Sequence, residues 1–320
     1  MRAIRYLPFT LCVPLLLAGQ SVGVTGRVLH RGERPRPLAN QWALLYEIHP
    51  GLGEGAPADS APTDAAGRYR LTLSRRDAAA LYYVVTTYQG VEYFSEALPL
   101  QGAARIDVAP LAVYDTTSGG PAMRVERRLI TVLGSGELDS RTVLDIVEVS
   151  NPGSRTRVAQ DSLSPVWTMV LPAGAREWEA TTADLTPEAM RLRGDTVRMF
   201  APIWPGAPLR ISHRYAVTGP TLHIPVDQWM GELGLLLEDT MATVSGSGPS
   251  LQALGVRDSE GRRLGAYRGG PLDAGSAVRV AFSRAPLTAA RLMPYVVGAV
   301  ALALAAGLWV ALRRGVTAAA

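Results

Sequence analysis

The sequence predicts an all-β protein, with two sandwich-like regions in tandem followed by a single transmembrane helix. Three observations carry that expectation. Short alternating or β-branched runs recur from Val22 to Phe282, separated by Gly, Pro, Asn and Asp clusters that mark turns. One stretch in that interval has helical character, Thr186-Pro187-Glu188-Ala189-Met190-Arg191, where Thr186 is placed to cap and Pro187 to fill the first turn. Finally, Leu292 to Leu312 holds no charged residue. As a helix rising about 1.5 Å per residue, it would cross roughly 30 Å of hydrocarbon.

The two ends set the expected placement. Residues 1–23 have the order of a secretory signal: basic Arg2 and Arg5, an apolar run from Leu7 to Ala18, then small residues that allow cleavage after Ser21 or after Gly23. Gln20 stands where a lipidated cysteine would be required, which excludes lipidation there. An uncleaved N-terminal anchor is the alternative, opposed by Pro8, Pro14 and the short apolar run. At the other end, span 292–312 is flanked by Tyr295 and Trp309 near the interfaces, with Arg313 and Arg314 opening a short cytoplasmic tail, 313–320. Arg284 and Arg291 weaken the charge asymmetry, so orientation rests on the leader. The expected location is a bacterial cell membrane, crossed once, with the N-terminal part outside and lipid as a partner of the helix. Ala299, Ala303 and Gly307 form a small-residue face through which two copies can approach as a homodimer. An Ala-rich composition produces the same spacing by default.

Charge argues against a nucleic-acid partner. All 32 basic residues are Arg, and four lie in the leader and tail. Setting these four aside leaves 28 Arg against 28 Asp and Glu, interspersed rather than gathered in a stripe. The single cysteine, Cys12, lies in the leader, so no disulfide, zinc-thiolate or cysteine-nucleophile chemistry is expected in the mature chain.

Between Val22 and about Pro110 the strands read Val22–Leu29, Trp42–Ile48, Arg68–Leu73, Leu81–Tyr88 and Val91–Ser95, with Gly51–Pro62 read as a loop and Leu81–Tyr88 as a fully buried strand. Asp64 and Gly67 are turn formers, one through its carboxylate and the other through access to positive φ. Val24-Thr25-Gly26-Arg27-Val28, Pro37-Leu38-Ala39 and above all Thr63-Asp64-Ala65-Ala66-Gly67-Arg68-Tyr69-Arg70-Leu71 resemble the carboxypeptidase regulatory-like domain. The resemblance covers 24–110 and implies a transthyretin-like β-sandwich with Gly26, Thr63, Asp64, Gly67 and Tyr69 as fold-motif residues. On activity it is almost silent, because such domains serve as spacers and interaction modules.

Region 111–286 reads as further transthyretin-like or immunoglobulin-like β structure with strands such as Val125–Leu133, Thr142–Val149, Leu209–Val217, Thr221–Val226 and Leu233–Val244, and a break near Gly219. Candidate chemistry is thin. His30 and Glu33 have the spacing of a zinc pair but fall in a strand-ending turn without a third ligand. His213 and His223 are expected on adjacent strands, close enough to pair; His49 stands apart. No Gly-x-Ser-x-Gly elbow occurs, and the absence of Lys removes Ser-Lys nucleophiles and the phosphate-loop lysine. No catalytic, metal or cofactor residue is therefore assigned. Trp42, Trp167, Trp178, Trp204 and Trp229 are either core residues or stacking platforms for sugars. The expected role is a non-catalytic interaction or structural module of the cell envelope with an envelope-protein partner. Glycan binding is the alternative, and a metal-dependent hydrolase a third.

Overall fold

The computed structural model describes residues 21–283, except 33, 51–54, 101–102, 136–139, 182–184, 186–188, 247–250 and 260. The leader to residue 20, Glu33, the span 292–312 with Ala299, Ala303 and Gly307, and the tail lie outside the described residues. Among the described residues no helix is long and apolar enough to cross a membrane.

The described chain is all-β. Its strands are β1 (Val22–His30), β2 (Arg36–Pro37), β3 (Trp42–Ile48), β4 (Gly55–Pro62), β5 (Arg68–Leu73), β6 (Leu81–Tyr88), β7 (Val91–Phe94) and β8 (Arg105–Asp107). There follow β9 (Leu111–Val113), β10 (Thr116–Thr117), β11 (Arg124–Ser135), β12 (Ser140–Ser150), β13 (Thr156–Arg157), β14 (Trp167–Val170), β15 (Arg176–Ala180) and β16 (Met190–Arg193). The last are β17 (Thr196–Met199), β18 (Leu209–Thr218), β19 (Thr221–Pro225), β20 (Met230–Leu237), β21 (Thr243–Gly246), β22 (Gln252–Ser259), β23 (Arg262–Gly269) and β24 (Ala277–Ala281).

Two compact units result. The first comprises the described residues up to Met123 together with Ser150–Trp167 and Met199–Leu209; the second takes Arg124–Val149, Thr168–Arg198 and the described residues from Arg210. In the first unit β1 is the hub of one sheet, antiparallel to β5 and β2 and parallel to β8 and β9. The other sheet runs β4-β3-β6-β7. The period of two decides what each strand buries. Val22, Val24 and Val28 of β1, Tyr69 and Leu71 of β5, Ala43 and Leu45 of β3, Tyr82 and Val84 of β6, and Val91 and Tyr93 of β7 share one core. Trp204, from a returning segment, packs on Tyr93 at 6.0 Å between ring centroids.

The turn before β5 shows how the motif residues act. Thr63 Oγ1 donates to the Leu38 carbonyl at 2.5 Å and accepts the Gln41 N–H at 3.0 Å. Asp64 Oδ1 accepts the N–H groups of Ala66 and Arg68, both at 2.8 Å, closing an Asx-type turn. Gly67 then takes φ +71°, and its carbonyl accepts the Val28 N–H at 2.8 Å. The turn therefore launches β5 in the register that puts Tyr69 opposite Gly26, where a β-carbon would lie 2.2 Å from the Tyr69 hydroxyl. Gly26→Val is expected to destabilise the first unit by about 1–3 kcal/mol through overpacking, read as a lower urea midpoint. Adding Tyr69→Leu to it should recover part of the loss.

Two local expectations are corrected. Gly55–Pro62 is a strand, not a loop, because the neighbouring β3 supplies antiparallel partners from Trp42↔Pro62 to Ile48↔Gly55. It lies at the sheet edge with a register shift beside Pro57, the setting in which a strand tolerates residues without an N–H. Met190 and Arg191, expected in a short helix, belong to β16, which pairs within the sheet β14-β17-β16; residues 186–188 lie outside the described residues. In the second unit the main sheet has the order β15-β18-β12-β11-β20-β23-β22, with a smaller sheet β19-β24-β21.

Candidate interaction surface

The inward residues of β3, β6 and β7 alternate with outward ones that are mostly apolar, with Thr87 and Glu92 as the polar members beside Trp42. Registers Leu44↔Val85, Tyr46↔Tyr83 and Ile48↔Leu81 join β3 to β6, and Val85↔Phe94 joins β6 to β7. Directly opposed residues share a face. Hence Trp42, Leu44, Tyr46 and Ile48 lie beside Leu81, Tyr83 and Val85, with Phe94 beyond. Trp42 is 55% exposed, Phe94 51% and Leu81 43%, whereas Val85, between Leu44 and Phe94, is buried. Leu44, Tyr46, Ile48 and Tyr83 are half-buried. Three strands about 4.8 Å apart, two of seven to eight residues and one of four, give a face of about 300 Å². The largest apolar patch on a protein surface is commonly of that order and is often functional. Leu81–Tyr88, expected to be buried on both sides, is buried on one.

A second grouping lies in the second unit. Arg128 on β11, Asp145 on β12, and His213 and Tyr215 on β18 have side chains at most 1% exposed. Arg128 donates to Asp145 through Nε at 3.1 and 3.2 Å and through Nη2 at 2.7 Å, and Nη1 reaches the Pro225 carbonyl at 3.4 Å. Burial alone would pull the Arg128 guanidinium down, but the Asp145 carboxylate outweighs it and holds it above its ordinary value. His213 Nε2 is 3.8 Å from Asp145, and its ring stacks on Tyr215 at 5.8 Å and tilts against Trp178 at 6.2 Å. Burial drives the His213 pKa down against the pull of Asp145, and drives the Tyr215 phenol up. These groups are closed to a substrate, and their arrangement is that of a neutral histidine beside a buried ion pair.

The depressed His213 pKa carries a stability prediction. Unfolded histidine titrates near 6.5, so its contribution is intact above that pH and is lost as pH falls toward the lower folded value, by up to about 1.4 kcal/mol per pH unit. The urea midpoint of tryptophan fluorescence should drop between pH 7.5 and pH 5.5. In His213→Gln the drop should be smaller.

The remaining candidates separate. His223 on β19 faces Arg279 of β24, in a different sheet from β18, so His213 and His223 are not neighbours on paired strands. His30 ends β1 with Nε2 3.2 Å from Asp115 and its ring edge-on to Tyr88 at 5.8 Å. Glu47, His49 and Asp77 bring three donor atoms within 4.8 Å of one another, a grouping that the sequence hid because Asp77 comes from another loop. His49 Nε2 is 3.2 Å from Asp77 and 3.5 Å from Glu47, and the N–H of Ala79, followed by His49, holds the Asp77 carboxyl below its usual range. His49 and Asp77 are hydrogen-bonded to each other, and the three donors fall one short of the four that structural zinc takes. The tryptophans divide likewise: Trp42 stands on the apolar face, Trp167 is buried, and Trp229 lies under the Arg124 guanidinium at 5.8 Å.

Neither the protein-family models nor the curated proteins contain a match to this chain. Among solved structures, an M1 zinc metallopeptidase from Deinococcus radiodurans aligns in two crystal structures at 10% identity. One, bound to a Tyr-Ser-Ala substrate, covers 52% of this chain and 44% of its own with a TM-score of 0.31; the other covers 52% and 43% with a TM-score of 0.33. A 9R-lipoxygenase from Cyanothece aligns at 18% identity over 35% of this chain and 19% of its own, with a TM-score of 0.22. The chain thus spans less than half the length of these structures, and at such scores the likeness carries no argument about activity.

Proposed function

We propose that this chain is an exported, single-pass protein of the bacterial cell envelope whose regulatory-like, transthyretin-like β-sandwich docks a protein partner, without catalysis, while the C-terminal helix holds it at the membrane. The observation that supports this reading is the outward face of β3, β6 and β7, where Trp42, Leu81 and Phe94 stand exposed among further apolar side chains. Aliphatic residues amid the rings favour a protein over a sugar. The aromatic members, Trp42, Tyr46, Tyr83 and Phe94, favour a glycan platform as the second reading. The proposed leader is cleaved after Ser21 rather than Gly23, because Val22 is fully buried and pairs with Leu73. The N-terminal mass of the exported protein checks that position.

The test places a photocrosslinking residue at Phe94 in the full-length protein in its native membrane. A single discrete protein adduct, abolished by Trp42→Ser, is the expected result; both changes are at exposed positions and should alter stability by about 0.5 kcal/mol or less. Adducts to saccharide alone would replace the protein reading by the glycan reading. An unchanged adduct pattern in Trp42→Ser would remove this face from both.

A further inference from the structure

The outer face of the first unit's other sheet has the opposite character. β1 and β5 place Arg27 directly opposite Arg68, and Thr25 directly opposite Arg70, while β8 runs parallel on β1 with Thr25 beside Asp107. Arg27, Arg68, Arg70 and Arg105 are all exposed and line a cleft of about 630 Å³. Two aspartates, Asp64 and Asp107, also line it, so four positive charges stand against two negative ones. Asp64 accepts two backbone N–H groups of its own turn, and Asp107 is held by Thr25 and Arg105. Among the ion pairs of the described residues, none involves Arg27, Arg68 or Arg70.

This arrangement is costly for an empty surface. Like charges directly opposite on paired strands destabilise a sheet, and outside its two ends the chain balances its arginines with as many acids. Neighbouring positions on paired strands lie about 4.8 Å apart, and alternate positions on one strand about 6.8 Å. Guanidinium groups rooted on that grid can converge on one oxyanion from several sides, each presenting a planar fork of donors. The Asx turn at Asp64 and the positive φ of Gly67 fix where Arg68 and Arg70 emerge, so the cluster sits on a rigid support.

We propose that the cleft between Arg27, Arg68, Arg70 and Arg105 is a binding site for a phosphate-bearing ligand. The site is separate from the apolar face and does not depend on that face having a partner. Two sources supply a phosphate of the same chemistry, a soluble phosphate compound or the headgroup of an anionic lipid.

The experiment is calorimetric titration of the full-length protein in neutral detergent with inorganic pyrophosphate and, separately, with glycerophosphoglycerol, the soluble headgroup of phosphatidylglycerol. Saturable binding of at least one probe is expected, weakened by salt because the contacts are exposed. The double variant Arg68→Gln with Arg70→Gln should lose at least tenfold in affinity at an unchanged unfolding midpoint. Tighter pyrophosphate binding assigns the site to soluble phosphates, and tighter headgroup binding assigns it to lipid. Either supports the proposal. No saturable binding of either probe, or equal binding by the double variant, overturns it. A folding failure of the double variant would be bypassed with Arg27→Gln alone, for which a loss of at least threefold is expected and an unchanged affinity is the contrary result.

Discussion

Asp145→Ala is expected to destabilise the second unit by about 3–5 kcal/mol, because it leaves the Arg128 guanidinium buried without its counter-charge. The bidentate contact supplies most of what holds that guanidinium, whose other named acceptor is the more distant Pro225 carbonyl. Hydrogen exchange measured by mass spectrometry should show protection falling across β11, β12 and β18 and staying level in the first unit's core strands. Arg128→Met combined with Asp145→Leu should restore most of the lost protection, since a buried pair replaced by apolar groups of similar size is often neutral or better. If the single and double variants were equally unstable, the pair would matter for its shape and not for its charge.

The second large effect belongs to Gly67→Ala. An L side chain at φ +71° costs about 1–2 kcal/mol on its own. The added β-carbon would also meet the Val28 carbonyl at 2.6 Å, and that carbonyl is backbone of the hub strand. A total loss of about 2–4 kcal/mol is expected, read as a lower urea midpoint. Gly90→Ala supplies the control. It also has positive φ, but nothing lies within 4 Å of its would-be β-carbon, so it should lose only the conformational part.

How much of this was legible in the residues varies by element. Alternation located β1 and β5 to within a residue or two, and β18 and β19 likewise, because a half-buried strand writes its period of two into the chain. Edge strands do not. Gly55–Pro62 is exposed along nearly its whole length, and β22 along all of it, so nothing in their composition needs to alternate; the neighbouring strand imposes their conformation. Leu233–Val244, read as one strand, is two, β20 and β21, in different sheets, since an apolar run alone does not mark a change of sheet. The return of Ser150–Trp167 and Met199–Leu209 to the first unit is a matter of tertiary packing, with no local signature. The candidate surfaces had partial signals. The continuous apolar run Leu81–Tyr88 announced two apolar faces, but not that one would stay open. The arginine cleft was hidden because Arg27 and Arg105 come from distant parts of the chain, and only the pairings of β1 with β5 and β8 bring them together.

Pro57 and Pro62 on β4 bear on how copies of this protein meet. An incoming extended segment that tried to lengthen the sheet at this border would find missing donors and a broken rhythm of partners. Fibre-like stacking from that side is therefore disfavoured, even though the adjoining surface is greasy enough to invite it. A partner of the proposed apolar face would instead lie flat across the strands.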